Sequence, residues 1–144
     1  SSLADDLSEF PEQTPNNELF AIGLQRTIKA LLDMDRQVFV IAPLPEIGYD
    51  VPSTNFIAAR TGRDVNQIIA PTIDEYLIRN KQTLSILKKF EETYGIRLIE
   101  PWKFLCQDDV CRAVVDGVPL YIDDDHLSVF GSEFITPVFD PLFH

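Results

Sequence analysis

Gln37-Val38-Phe39-Val40-Ile41-Ala42-Pro43-Leu44-Pro45 is the stretch that decides the fold class. Its first six residues are nearly all apolar and rich in β-branched side chains, the composition of a short strand buried on both faces of a parallel sheet. Pro43 and Pro45 then end the strand, because proline has no N–H to give a sheet ladder. Upstream, Asn16 or Asn17 can cap a helix reaching about Asp35, with Phe20, Leu24, Ile28 and Leu31 along one face. Downstream, Gly48, Pro52, Ser53 and Asn55 predict an irregular loop as far as about Phe56. Thr72-Ile73-Asp74-Glu75, just after Pro71, is a capping-box pattern. It opens a long helix whose Ile73, Leu77, Leu84, Leu87 and Tyr94 share a stripe, and Gly95 is placed to end it. Ile96 to Ile99 is a second short buried strand. Strand, helix and strand make one βαβ unit, and such a crossover joins parallel strands. The expected class is therefore α/β, a three-layer α/β/α sandwich around a parallel sheet. Only two such strands are legible where a complete domain usually has about five, so the sheet is expected to be incomplete in this chain.

The C-terminal third changes character. A helical turn is expected around Pro101 to Leu105, followed by the loop Cys106-Gln-Asp-Asp-Val-Cys111. Ala113 to Val115 and Val118 to Tyr121 flank Asp116-Gly117, a strong two-residue hairpin signal. A last helix is expected from Ser128 to about Phe139, with Pro137 kinking or shortening it.

Composition bounds the function. The chain has 144 residues, 45% of them hydrophobic, enough for one globular domain with a moderate core. Ser1 to Pro15 is acidic and polar and reads as a flexible lead-in, leaving 16–144 for the folded part. A net charge of −11 excludes the basic stripe a nucleic-acid partner requires. The longest apolar run, Val38 to Pro45, falls far short of a membrane span, and no signal peptide is read. No cofactor motif is present. The two cysteines, five positions apart, can close as a disulfide around a turn or stand as free thiols; zinc is disfavoured because no second ligand pair exists.

The chemistry concentrates in Tyr121-Ile-Asp123-Asp124-Asp125-His126-Leu-Ser128. His126 is the only internal histidine and follows Asp123 by three residues, between a strand-like run and a helix start. On such a turn a carboxylate oxygen can meet one imidazole nitrogen, fix the tautomer and leave the other nitrogen to accept a proton. The bland alternative is a solvated acidic turn whose histidine caps the next helix. Asp124 and Asp125 are expected to face solvent, and a hard-cation site over Asp123 to Asp125 is disfavoured for want of further carboxylates. Ser128 reads as a helix cap rather than a nucleophile, and Ser53 and Ser85 lie in no motif. Trp102 and Tyr121 read as core or pocket-wall aromatics, and His144 as a disordered terminus.

Taken in order, the strand ending Ala42-Pro43-Leu44-Pro45, the long helix, Ile96-Arg-Leu-Ile-Glu100 with Pro101-Trp102, the close cysteine pair and Gly117-Val-Pro-Leu-Tyr-Ile-Asp-Asp-Asp-His-Leu-Ser128 form a pattern. It resembles the C-terminal part of the SGNH domain attached to membrane acyltransferase-3 proteins, which O-acylate bacterial surface polysaccharides. The resemblance covers about Leu19 to Phe139 and is most specific from Pro119 to Gly131. It implies an SGNH-hydrolase-like, flavodoxin-like fold, with the family's Asp-x-x-His block on Asp123 and His126. It also implies a periplasmic or extracellular face tethered to the inner membrane, and with it a Cys106–Cys111 disulfide. The family's nucleophile lies in a Gly-Asp-Ser block that this sequence lacks, and its oxyanion-hole Gly and Asn blocks also precede the part seen here. Gly131-Ser132 stands where many members have Gly-Ala.

The chain is therefore expected to be the second half of such a domain. On that expectation it forms part of an acyl-transfer enzyme whose serine lies outside these residues, with His126 as general base and Asp123 as orienter. The implied partners are an acyl donor, often of acetyl, a sugar acceptor, and the integral-membrane acyltransferase domain of the same protein. An SGNH-type esterase and a non-catalytic glycan- or partner-binding module are the alternatives.

Overall fold

The computed structural model describes residues 15–143. The expected lead-in, apart from Pro15, and His144 lie outside the described residues. The elements in chain order are α1 (Asn16–Asp33), β1 (Phe39–Ile41), α2 (Val51–Thr61), α3 (Val65–Ile69), α4 (Ile73–Tyr94), β2 (Arg97–Ile99), α5 (Trp102–Leu105), β3 (Cys106–Gln107), β4 (Val110–Cys111), β5 (Val114–Val115), β6 (Val118–Pro119) and α6 (Val129–Phe134), then a 3₁₀ helix (Thr136–Leu142). The class is α/β, as the sequence predicts. β1 and β2 pair alone, their register advancing in the same direction from the Arg97 N–H to Val38 O bond to the Ala42 N–H to Ile99 O bond. The parallel sheet among the described residues is thus two strands wide.

The chain divides into two units, residues 15–40 with 82–98 and residues 41–81 with 99–143. In the first, Ile28, Val38, Phe90 and Ile96 form a buried core, with Leu24, Leu31 and Ile86 packed against it. α1 begins without a side-chain cap; the Pro15 carbonyl accepts the Glu18 and Leu19 N–H groups in place of the expected asparagine. Phe20 is exposed rather than in the stripe.

The second unit holds the larger core, built on Val51, Leu105, Ala113, Leu120 and Tyr121 among others. Here the expected loop to Phe56 is corrected, because α2 starts at Val51. Asp50 caps it by accepting the Ser53 N–H, and Pro52 sits in the first turn, where a missing N–H costs nothing. α4 begins with the predicted capping box: Glu75 accepts from Thr72 N–H at 2.7 Å, and Thr72 Oγ1 accepts from Glu75 N–H at 3.1 Å. Its stripe differs from the expected one at a single place. Tyr76 is buried where Leu77 was expected, while Leu84 and Leu87 keep their places. Ile41 is exposed, so β1 is not buried on both faces.

The cysteine loop is a hairpin. Cys106 pairs with Cys111 across β3 and β4, a disulfide joins them, and Asp108 and Asp109 make the turn with φ of 52° and 67°. Both values lie in the left-handed region, which aspartate tolerates better than most residues. The hairpin docks on the start of α4 through Cys111 N–H to Pro71 O (2.8 Å) and Ile73 N–H to Asp109 O (3.0 Å). β5 and β6 form the predicted second hairpin about Asp116-Gly117, again with positive φ at both turn residues. The last helix is shorter than expected: α6 ends at Phe134, and the chain continues as 3₁₀ helix through Pro137. Proline lacks the N–H an α-helix would need there.

Two measurements test this packing. A Cβ on Gly131 would stand 2.0 Å from the Leu120 carbonyl oxygen, so Gly131→Ala should lower stability by about 1–3 kcal/mol in urea denaturation. Replacing both cysteines with serine should cost about 2 kcal/mol through lost loop closure, and thiol titration of the unreduced, denatured chain should find no free thiol.

Candidate active site

The site loop is a short excursion from the end of β6 to the start of α6. Leu120 N–H donates to Ala113 O (2.9 Å), which ties the strand end to the β5 side of the hairpin. Tyr121 bridges to Leu127, and Ile122 N–H donates to His126 O (2.9 Å), closing the loop on itself. Ser128 N–H then returns to Leu120 O (2.9 Å). The Ser128 hydroxyl donates to Pro119 O and accepts from Gly131 N–H, both at 2.9 Å. With both roles occupied, Ser128 serves as the cap of α6.

Inside this closed loop Asp123 holds His126 twice. Its Oδ1 accepts from the backbone N–H of His126 (2.8 Å) and Asp125 (3.1 Å), while Oδ2 lies 2.9 Å from His126 Nδ1. Acceptance by a carboxylate places the proton on Nδ1 and leaves Nε2 of the neutral ring as the basic nitrogen. Asp125 is exposed, as expected, and its Oδ1 also lies 2.7 Å from the same Nδ1. The ring is 71% exposed, and carboxylates are its only ionic neighbours among the described residues.

Electrostatics follow from these contacts. The two backbone N–H groups, His126's first, hold the Asp123 carboxyl below the usual carboxylate range. The bond to Asp123, then the charges of Asp123 and Asp125, raise His126 above the ordinary imidazole value. The signs differ. Asp123 stabilises the fold above the ordinary carboxylate range and loses that effect as pH falls; His126 stabilises it below the ordinary imidazole value and loses that effect as pH rises through the raised one.

A second loop buttresses the first. Ile47 N–H (2.8 Å) and Gly48 N–H (3.3 Å) donate to Asp124 O, and Val51 N–H (3.3 Å) donates to Asp123 O. The charge of Asp50 faces Asp123 across this seam. The sequence reading missed both the seam and Asp125. A cap pattern at Asp50 ahead of Pro52 was the available signal for the first.

The remaining candidates fall elsewhere. Asp123, Asp125 and His126, the same three groups, also bring possible ligand atoms within 4.8 Å of one another. Ser53 gives its N–H to Asp50, and Ser85 is on the exposed side of α4. Trp102 is half-buried, 5.1 Å from the Tyr76 ring, and its Nε1–H donates to Glu100. Tyr121 is fully buried, its hydroxyl without a partner among the described residues, and burial pushes its pKa up. No serine hydroxyl bonds to the His126 ring among the described residues.

The family model described as an SGNH domain fused to AT3 domains matches residues 2–141. The chain belongs to this family. Among solved structures, this SGNH domain is similar to the periplasmic domain of a lipopolysaccharide acetyltransferase from Salmonella ser. Paratyphi A. The TM-score is 0.65 at 20% identity, over 89% of this chain and 50% of that one. The likeness establishes the fold, and the chain spans half the length of that structure. No curated protein matches. No described helix is long and apolar enough to cross a membrane.

Proton NMR tests the electrostatics of this SGNH domain. With His144 replaced by alanine, the remaining imidazole should titrate above the ordinary value, and Asp123→Asn should move it back down. An unshifted His126 would mean that the carboxylate contacts do not form in solution.

Proposed function

We propose that the chain supplies the base-and-orienter half of an acyl-transfer site. Residues 16–144 form the C-terminal portion of the SGNH domain, and the serine nucleophile lies outside this chain. The observation that carries this reading is Asp123 Oδ2 at 2.9 Å from His126 Nδ1, with the carboxylate anchored by two backbone N–H groups. A carboxylate held in this way keeps the imidazole in the tautomer whose Nε2 can take a proton.

The steps follow from that geometry. Nε2 removes the serine proton as the hydroxyl attacks the acyl carbonyl, and the imidazolium then gives the proton to the leaving group. In the second half, Nε2 removes the proton of a sugar hydroxyl that attacks the acyl-enzyme, and the serine is released. Asp123 stabilises the imidazolium in both halves without taking the proton itself. The acceptor is a cell-surface polysaccharide and the group transferred is acetyl. Membership of a family fused to AT3 domains supports an integral-membrane partner that delivers the acyl group. A disulfide persists in oxidising compartments, which supports a periplasmic face.

In full-length protein His126→Ala should reduce transfer by about 10³-fold or more, and Asp123→Asn by a comparable factor, with the far-UV spectrum unchanged. Undiminished transfer by His126→Ala would remove it from the mechanism. The base must be neutral to act, so kcat/KM should rise with pH through a pKa above the ordinary imidazole value. Residues 1–144 alone should not hydrolyse a chromogenic acetyl ester, because nucleophile and oxyanion donors are both missing. Robust turnover abolished by mutating a serine within them would overturn the division of the site.

A further inference from the structure

The loop that buttresses Asp123 and Asp124 has a second face. Residues Glu46 to Tyr49, the end of α3 and the first turns of α4 enclose an open groove of about 590 Å³. Its floor is apolar. Ile47, Ile69 and Tyr76 are buried there, and the Tyr76 hydroxyl donates to Pro43 O at 2.8 Å, pinning the start of the loop. Its upper walls are apolar but uncovered: Tyr49 is 59% exposed and Ile78 74% exposed. Glu46 and Arg79 pair across the rim, and Glu75 lies beside them with its carboxylate engaged by Thr72.

We propose that this groove holds the acceptor saccharide, a neutral oligosaccharide chain, with Tyr49 as its stacking platform. The assignment rests on the acyl-transfer reading above and adds the place where the acceptor lies.

Four properties of the groove select this occupant. Its volume falls within the range of small-molecule sites, yet it is open along one side, which suits a chain that must pass through. Sugar rings present weakly positive C–H faces that stack on the negative face of an aromatic ring, and their hydroxyl edges pair with planar charged groups. Tyr49 supplies the first contact, the Glu46–Arg79 pair the second. Anionic ligands are disfavoured, because the two carboxylates outnumber the one guanidinium, which is already paired, and the chain as a whole carries −11. Finally, the position is right. Ile47 and Gly48 line the groove with their side of the loop and bond to Asp124 O with their N–H groups, so an acceptor seated there lies next to the loop bearing the base.

The test is saturation-transfer NMR on the full-length protein. The probe is oligosaccharide released by mild acid from the cell's own surface polysaccharide and de-O-acetylated with alkali. Native protein should saturate the sugar protons. Tyr49→Ala and Ile78→Ser should each weaken binding about tenfold, as truncating an interface anchor does. Both side chains are exposed, so their unfolding midpoints should not move. Ile57→Ser, on exposed α2 surface outside the groove, should bind as the native protein does. No saturation transfer to native protein overturns the proposal, as does equal binding by the Tyr49 and Ile78 variants or equal loss in Ile57→Ser. His126→Ala separates this claim from the previous one. It should bind the oligosaccharide normally while losing turnover; retained turnover would sink the catalytic reading and leave the groove standing.

Discussion

Leu120 is where the larger unit of this protein is tied together. Its N–H bonds to Ala113 across the second hairpin, its carbonyl accepts the Ser128 N–H, and the backbone of Gly131 passes so close to that carbonyl that no side chain fits between. The three contacts fix both ends of the loop running from Ile122 to His126. A loop whose ends are held has little entropy left to lose, so a few internal bonds suffice to order it. Asp123 supplies them through Oδ1, and the ordering of a surface imidazole follows from a buried leucine and the absence of a Cβ.

The site is electrostatically strong but exposed. A carboxylate accepting two backbone N–H groups is a poor base, so it remains charged and can act as a fixed partner for the ring. Asp125 adds a second negative charge near the same nitrogen, which with Asp123 favours the protonated ring. High solvent exposure weakens each of these effects by screening. The chain carries an aspartate–histidine pair and its scaffold, and belongs to a family in which an SGNH domain is fused to AT3 domains.

Much of this was legible in the linear sequence because the signals are local. The capping box at Thr72, the Asp116-Gly117 turn, the apolar run ending at Ala42 and the Asp-x-x-His spacing each depend on residues within four positions of one another. Short-range geometry and backbone dihedral preferences decide such features. The errors were also local in origin. Pro52 reads as a loop residue, yet in the first turn of a helix its missing N–H is harmless, and Asp50 made that turn a helix start. Leu77 and Tyr76 differ by one position, and which of them is buried depends on what lies opposite.

The sequence by itself determined the element types, the α/β class and the contact of Asp123 with His126, because these follow from periodicity, capping chemistry and spacing. Tertiary structure alone decided that Asp125 also lies beside the imidazole nitrogen that Asp123 holds. It also decided that the N–H groups of Ile47, Gly48 and Val51 hold the site loop by its carbonyls, and that Glu46 to Tyr49 line a groove. Contacts between segments some 75 positions apart leave no periodic trace, since backbone N–H and carbonyl groups are the same in every residue. Only folding determines which of them meet.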